Sequence, residues 1–355
     1  MIKKKEILDF YKNRKVLVTG STGFKGAWLC LMLYMAGAEV YGYSLKPDDT
    51  QLLFGKIGLE DKIHQFYADI RDFDKLSAAF NECKPESVFH LAAQPLVVES
   101  YIHPRYTFDT NIMGTVNILE CIRRSELEVS FLNVTTDKVY DNEEKDKPYK
   151  ENDRLDGYDP YSNSKSCSEL VTHSYKRSFF YDGGCFLSTA RAGNVIGGGD
   201  YAKNRIIPDC VKAALGDKNI VIRNPYSVRP YQHVIEPLYT YLMIAANQYK
   251  NADISGNYNI GPDADDCQTT LKLVEIFCQA WGEGMKYTVS ESTGPHEAGF
   301  LKLDCSHLKN VFGWKPVYSI KEAVYKTVEW NKRILGGESA SEVCMSQIDD
   351  FYKIL

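Results

Sequence analysis

A continuous apolar run, Lys15 to Thr19 (KVLVT), passes without a break into Gly20-Ser21-Thr22-Gly23-Phe24-Lys25-Gly26. Ala27 to Gly37 follows, apolar on nearly every side. A short β-branched run that stops at glycine reads as a buried parallel strand, and a helix apolar all round has to pack against a sheet. The spacing between them is G-x-x-G-x-x-G. Glycines let the turn close tightly and let a ligand approach the backbone, while the free N–H groups of the helix start attract a pyrophosphate. A glycine triplet alone is weak evidence. Its place between a buried strand and an apolar helix favours a dinucleotide-binding turn over a purely structural one.

The alternation continues. Glu39 to Leu45, Gln65 to Ala68, Ser87 to Leu91, Ser130 to Thr135 and Cys185 to Ala190 read as further strands, with helices near Asp74–Asn81, Tyr106–Arg124 and Ser162–Phe180. Strand and helix repeated this often predict an α/β fold, a Rossmann-like doubly wound parallel sheet covered on both faces. After about Ala190 the pattern loosens. Gly197-Gly198-Gly199 reads as a flexible loop, and Arg205 to Leu215 as a helix with Pro208 in its first turn. Val234 to Tyr249 and Leu271 to Trp281 read as helices, Tyr258 to Gly261 as a strand entering a turn, and Asp141 to Asp153 as an exposed loop. The expected division is 1–190 as the dinucleotide-binding domain, with segments near 230–262 returning to its sheet. Residues 191–355 then form a smaller mixed α/β lobe for the substrate.

Composition bounds the function class. The 355 residues amount to roughly two domains. With 42 basic and 47 acidic residues the net charge is −5, which argues against a general nucleic-acid or anionic-membrane binder. The ten cysteines include no C-x-x-C pair and read as reduced thiols. No ligand-like spacing joins His233 to His296, so no metal site is expected. Met1-Ile2-Lys3-Lys4-Lys5 lacks the apolar run of a signal peptide, and Ala27 to Ala36 is about half a membrane span. A soluble, cytoplasmic protein is the expectation.

Two polar clusters carry chemistry. Tyr161-Ser162-Asn163-Ser164-Lys165 puts a phenol and an ammonium four apart, on one face of a helix. A neighbouring cation favours tyrosinate, so the phenol can act as a base near neutrality. Y-x-x-x-K is common by chance, but after a dinucleotide turn and a strand–helix repeat the catalytic reading prevails. Thr135-Thr136-Asp137-Lys138 sits just past the C-terminal end of a strand, the edge beyond which ligands of open α/β sheets lie. For cofactor choice, Ser44, with Lys46 close behind, stands where an acid would select NAD, so the residues alone admit NADP as well.

Taken together, VTGSTGFKGAWL (18–29), HLAAQPLV (90–97), TNIMGTVNILE (110–120), TTDKVY (135–140), DPYSNSK (159–165), RAGNVIGGGD (191–200), RIIPD (205–209), RPYQHVIEPL (229–238), PHEAGFLKLD (295–304) and GWKP (313–316) span nearly the whole chain. In these the chain resembles the extended short-chain dehydrogenase/reductases that act on nucleotide sugars. GFKG, LAAQPLV and RAGNVIGGGD point within that family to the CDP-D-glucose 4,6-dehydratase branch.

The resemblance implies a tightly held NAD that is reduced and reoxidised within each turnover, and a nucleotide 4-keto-6-deoxyhexose as product. It implies Tyr161 as base on the sugar 4-hydroxyl, and Lys165 as the cation that lowers the tyrosine pKa and holds the nicotinamide ribose. Thr136 would hydrogen-bond the C4 oxygen, and Asp137 would be the acid for the C6 hydroxyl. Lys138 would be the base at C5, where the dTDP-glucose dehydratases carry Glu. Gly20, Thr22, Gly23, Phe24 and Gly26 would line the pyrophosphate, Asp69 and Ile70 the adenine, and Leu91, Ala92, Ala93 and Thr110 the rest of the cofactor. Ser44 fills the ribose-reading position, as it does in the CDP-glucose branch, which uses NAD. Gln94, Asn194, Arg205 and Arg229 are the substrate candidates, the two arginines because diphosphates favour guanidinium, with Arg229 placed before Arg205. A homodimer through the helices Tyr106–Arg124 and Ser162–Phe180 is implied as well. A nucleotide-sugar 4-epimerase would share the Tyr–Lys pair and the transient C4 oxidation. It needs no acid and base at C5 and C6, so Asp137-Lys138 favours dehydration. A dehydratase of another nucleotide hexose or heptose would look nearly the same, whereas a non-catalytic NAD-binding protein would not need Thr136, Tyr161 and Lys165 together.

Overall fold

The computed structural model describes residues 4–282, 284–290 and 299–355; His296 lies outside them. Seven strands form the central sheet: β1 (Lys15–Thr19), β2 (Glu39–Ser44), β3 (His64–Tyr67), β4 (Ser87–His90), β5 (Val129–Val134), β6 (Cys185–Ala192) and β7 (Asn257–Ile260). Their order is β7-β6-β5-β4-β1-β2-β3, and every neighbouring pair is parallel. Parallel neighbours need crossover helices. These are α1 (Phe24–Met35), α2 (Phe73–Cys83), α3 (Gly114–Ser125), α4 (Pro160–Phe179) and α5 (Ile235–Lys250).

Alternation along β1 shows why both faces are covered. Val16 and Val18 join the core cluster that holds Trp28, Leu29 and Leu33 of α1 and Leu238 and Leu242 of α5. Leu17 points the other way, into the cluster with Leu76 and Phe80 of α2 and Ile118 of α3. Strand β7 comes from the second half of the chain and pairs with β6, so that half completes the sheet. Its remainder builds a third core, in which Ile207, Leu273, Phe277 and Val324 pack together.

Three features depart from the sequence reading. The stretch Tyr106–Arg124 is helical but not uniform: a π-turn at Asp109–Met113 separates a short helix, Pro104–Phe108, from α3. Secondly, Gly197–Gly199 is not a flexible loop but a buried one. The Gly198 carbonyl accepts the Trp28 indole N–H at 3.0 Å, and a Cβ on Gly198 would lie 2.0 Å from the Trp330 ring. Glycine is there because the Trp330 ring, remote in sequence, leaves no room for a side chain. Thirdly, beyond Trp281, where the sequence reading places no element, helices Ile320–Leu335 and Ala340–Ile354 close over the α1 face through Trp330, Val343 and Ile348. The Asp141–Asp153 segment is a mostly exposed loop, pinned by the buried Tyr149 stacked on Tyr140. Among the described residues no helix is long and apolar enough to cross a membrane, and no cluster of His, Cys, Asp and Glu could hold a metal ion.

At the start of α5 the buried Glu236 ties the sheet layer to the C-terminal helices. Its Oε1 accepts the backbone N–H groups of Val317 (2.7 Å) and Tyr318 (3.2 Å), while Oε2 has no partner. Burial pushes its pKa from 4.5 to about 7, opposed by those two N–H groups. The folded protein therefore favours the protonated acid, and the penalty for ionising it grows as pH rises from 4.5 through about 7. Glu236→Gln removes that penalty. The variant is expected to match the wild type in thermal melts near pH 4, to gain on it as the pH rises to about 7, and to keep that gain at pH 8. A difference in melting temperature that does not change with pH would contradict this.

Candidate active site

The glycine turn connects β1 to α1 at the carboxyl edge of the sheet, where the strand order reverses between β1 and β4 and where open α/β sheets bind ligands. Gly20 has φ +75°, and a Cβ on it would lie 2.8 Å from the Ala92 nitrogen, so the turn nests against the Leu91–Ala93 segment that leaves β4. A Cβ on Gly26 would stand 2.0 Å from the Gly20 carbonyl oxygen. Helix α1 starts at Phe24 with Gly23 as a cap that offers no side chain, which leaves its first N–H groups for a ligand or water. The Thr22 hydroxyl donates to the Leu45 carbonyl (3.3 Å) and to Gln51 (3.1 Å).

Around the turn the other cofactor candidates take varied positions. The Ser44 hydroxyl is buried beside Ser21 (3.2 Å) and Gln65 (3.3 Å), so it is engaged within the protein. Asp69 pairs with Arg71 at 2.7 Å, and this lowers its pKa. The Ile70 carbonyl accepts the Asn117 amide at 3.0 Å. The Thr110 hydroxyl, on the π-turn, is buried and has no hydrogen-bond partner.

At the exit of β5 the second cluster converges. Thr136 donates its hydroxyl to Asp137 Oδ1 at 2.9 Å, and Lys138 Nζ reaches the same oxygen at 3.0 Å and Asn194 Oδ1 at 3.2 Å. Asp137 is fully buried, and its Oδ2 has no partner. Helix α4 begins here because Asp159 caps it, accepting the Ser162 N–H at 2.9 Å, with Pro160 at the first position. Its buried face presents Tyr161 in the first turn and Lys165 one turn later. Burial pushes the Tyr161 phenol up to about 12, against a hydrogen bond from Thr136 and the charge of Arg205, while Asp137 adds to the rise. Burial lowers the Lys165 ammonium to about 8, opposed by Glu169, and its Nζ donates to the Val134 carbonyl at 3.1 Å.

A cavity open to solvent adjoins this cluster, with Lys138, Tyr140, Asn142, Tyr158, Ser162 and Arg229 in its wall. Arg229 is 2% exposed, and one nitrogen donates to the Val228 carbonyl at 3.0 Å. Arg205 is more open and pairs with Asp200 at 3.1 Å. Gln94 is not brought to the cavity by its side chain. Its Oε1 accepts the Leu96 N–H (2.6 Å), and its Nε2 donates to Leu96 O (3.1 Å) and Thr107 (2.8 Å), so it shapes its own loop.

Two residues at the site escaped the sequence reading. Lys25, inside the glycine turn, has its pKa lowered to about 7, by burial first and then by the charges of Lys165, Arg205 and Lys138, with Asp137 opposing. The turn and the polar cluster at the exit of β5 therefore share one electrostatic field. Asn111, on the π-turn, accepts the Gln94 N–H (2.8 Å) and donates to the Gln94 carbonyl (3.1 Å) and the Ser164 hydroxyl (2.8 Å), bracing the Leu91–Leu96 segment against α4. A π-turn often marks a functional position, but nothing in the local pattern announces one here. Chemically, a phenol, a hydroxyl, a carboxylate and an amine stand in one string beside a dinucleotide turn. That is a set able to move protons at adjacent carbons of one substrate.

Comparison with known proteins agrees with this arrangement. Residues 17–327 match the family model described as GDP-mannose 4,6 dehydratase. The chain is 43% identical over 349 residues to the CDP-glucose 4,6-dehydratase of Salmonella typhimurium, covering 97% of each chain. It is 26% identical to the CDP-paratose 2-epimerase of Salmonella typhi, covering 90% of this chain and all of that one. Among solved structures, the dTDP-glucose 4,6-dehydratase of Bacillus anthracis in complex with NAD superposes with a TM-score of 0.74 at 22% identity. It covers 90% of this chain and 96% of its own. At that identity the likeness establishes the fold.

The contact of Gly26 with Gly20 yields a direct prediction. Gly26→Ala forces the turn apart, and overpacking of this kind costs about 1–3 kcal/mol. A urea melt of the variant is expected to show that loss, and an unchanged midpoint would mean that the turn opens freely.

Proposed function

The chain belongs to the GDP-mannose 4,6-dehydratase family, in the nucleotide-sugar branch of the extended short-chain dehydrogenase/reductases, and on that footing we propose that it is an NAD-dependent hydro-lyase converting CDP-D-glucose to CDP-4-keto-6-deoxy-D-glucose and water. The near full-length likeness to the Salmonella CDP-glucose 4,6-dehydratase carries the reading. Asp137 and Lys138, beside the Tyr161–Thr136 contact, supply the acid and base that a dehydratase needs and a 4-epimerase does not.

The residues fit a dinucleotide. The tight closure of the turn at Gly20 and Gly26, the uncapped N–H groups after Gly23 and the unpartnered Thr110 hydroxyl suit it. Gly20, Thr22, Gly23, Phe24 and Gly26 would hold its pyrophosphate, and Asp69, Ile70, Leu91, Ala92 and Ala93 would line the rest. Ser44, already engaged with Ser21 and Gln65, would sit beside the ribose without an acid's charge. When bound, NAD accepts hydride from C4 of the hexose and returns it at C6.

The chain's own groups do the proton work. Tyr161 takes the proton of the 4-hydroxyl while Thr136 hydrogen-bonds the C4 oxygen. A phenol at about 12 does not ionise near neutrality unaided, so Lys165, as ammonium, has to lower it in the loaded site. Ketone formation at C4 acidifies C5–H. Lys138 removes that proton, and Asp137 delivers one to the departing C6 hydroxyl. Arg229, with Arg205 and Asn194, binds the diphosphate end, and Gln94 acts through the shape of its loop. Exposed Tyr106, Met113, Leu170 and Phe179 on the two helical segments support a homodimer through them, and the cytoplasm is the proposed location.

The test is mass spectrometry of the products after separate incubation with CDP-, dTDP-, UDP- and GDP-hexoses, without added cofactor. Loss of one water from CDP-glucose alone is expected. An isobaric product with inverted C4 would make the protein an epimerase. In deuterated solvent, Lys138→Ala is expected to slow C5 hydrogen exchange by about 10²–10⁴-fold, the usual contribution of a general base. Exchange at the wild-type rate would place the base elsewhere.

A further inference from the structure

Behind the reacting groups lies a buried ion pair that the chemistry above leaves unused. Glu169 and Arg191 are both 0% exposed. They pair in parallel, Arg191 Nε to Oε1 at 3.0 Å and Nη2 to Oε2 at 2.9 Å. Oε1 also accepts the Thr135 hydroxyl, and Oε2 the Thr189 hydroxyl at 2.8 Å. The remaining guanidinium nitrogen donates to the Tyr140 hydroxyl (2.9 Å) and the Glu151 carbonyl (2.8 Å).

These partners sit on every segment that carries a reacting group. Thr135 precedes Thr136 at the exit of β5, and Tyr140 follows Lys138 by two positions and lines the cavity. Glu169 lies one helical turn beyond Lys165 and two beyond Tyr161, on the same face of α4. The pair itself does not line the cavity.

We propose that Glu169 is a positioning residue of the reaction: held by Arg191, Thr135 and Thr189, it locks α4 to the exit of β5, so that Tyr161 and Lys165 meet Thr136 and Asp137. This rests on the roles given above to Tyr161 and Lys165. The groups facing Lys165 are Tyr161 and Glu169 on its own helix, Lys25 from α1 and His90 from β4. The Lys165 charge acts on both Lys25 and His90. Those facing Glu169 are Arg191 from β6, Tyr140 from the loop after β5 and His173 at 3.7 Å on α4. Burial lowers the Lys165 pKa, and Glu169 raises it.

The experiment compares the wild-type holoenzyme with Glu169→Gln, which keeps the shape and drops the charge. Two readouts are taken: the Lys165 titration, followed by NMR of labelled lysine and assigned with Lys165→Arg, and the pH dependence of kcat and KM on CDP-glucose. The Lys165 pKa is expected to fall by about one unit. The alkaline limb of kcat should move down with it, and kcat should drop tenfold or more with KM changed less than threefold. An unmoved titration overturns the proposal, and so does a lower kcat with an unshifted limb, which would mark a purely structural pair. If the single variant does not fold, Glu169→Gln with Arg191→Met removes both charges, leaves none unpaired, and is expected to shift the Lys165 titration in the same direction but by less, because the opposing charge of Arg191 leaves as well. Should the wild type turn over no sugar while the Lys165 pKa still falls in the variant, the coupling stands and the assigned reaction is wrong.

Discussion

Withdrawing a carboxylate and a guanidinium from water costs several kcal/mol per ion, and their attraction offsets this only when the geometry is bidentate and the remaining lone pairs and N–H groups find partners. Glu169 and Arg191 meet that condition through Thr135, Thr189, Tyr140 and the Glu151 carbonyl. Because the partners are spread over β5, β6, α4 and the loop that follows β5, the arrangement can be satisfied in one relative placement of those elements only. The network runs on, since Tyr140 donates to Asn259 on β7 at 2.6 Å, and Asn259 donates to the carbonyls of Tyr149 (2.8 Å) and Asp304 (3.2 Å). One polar knot thus joins the strand ends that hold the site to the edge strand and to the chain beyond it.

In front of this knot, electrostatics take the opposite form. Lys25, Lys138, Lys165 and Arg205 gather around one buried carboxylate, Asp137. An excess of positive charge suits a diphosphate and an oxygen that becomes negative during reaction. In the protein alone, burial drives Tyr161 and Lys165 toward their neutral forms, at about 12 and about 8. In the proposed reaction the tyrosinate would be drawn out by a hydrogen bond with Thr136 and by positive charge at the reacting end. Chemistry is thereby coupled to occupancy of the site.

Much of this was legible in the residues because the relevant contacts are local. The glycine turn, the Tyr161–Lys165 pair and the Thr136–Lys138 run lie within single strand–turn or helix segments, where spacing determines which side chains share a face. The capping box at Ser319 and Glu322 is a similar local signal for the helix Ile320–Leu335, and it was there to be read. What stayed hidden depends on remote partners. Gly197–Gly199 has the composition of a flexible loop and becomes a packing surface only because Trp28 and Trp330 arrive from elsewhere. Gln94 looks free to meet a substrate until Thr107 and the Leu96 backbone claim its amide. Glu169 and Arg191 read as ordinary charged residues, since nothing in their neighbours in sequence shows that they meet.

By itself the sequence determined the class of fold, the order of strands and helices through the sheet-forming part of the chain, the glycine turn and the types of group available for proton transfer. Hydrophobic period, glycine spacing and helical repeat act over a few residues and need no knowledge of the rest. Only the tertiary structure decided which strand lies beside which, that β7 returns to β6, that Lys25 shares the field of Lys165, and that a buried carboxylate stands behind the catalytic helix. Those outcomes depend on which desolvated groups find partners across the sheet, and pairing over such distances leaves no periodic trace in the chain.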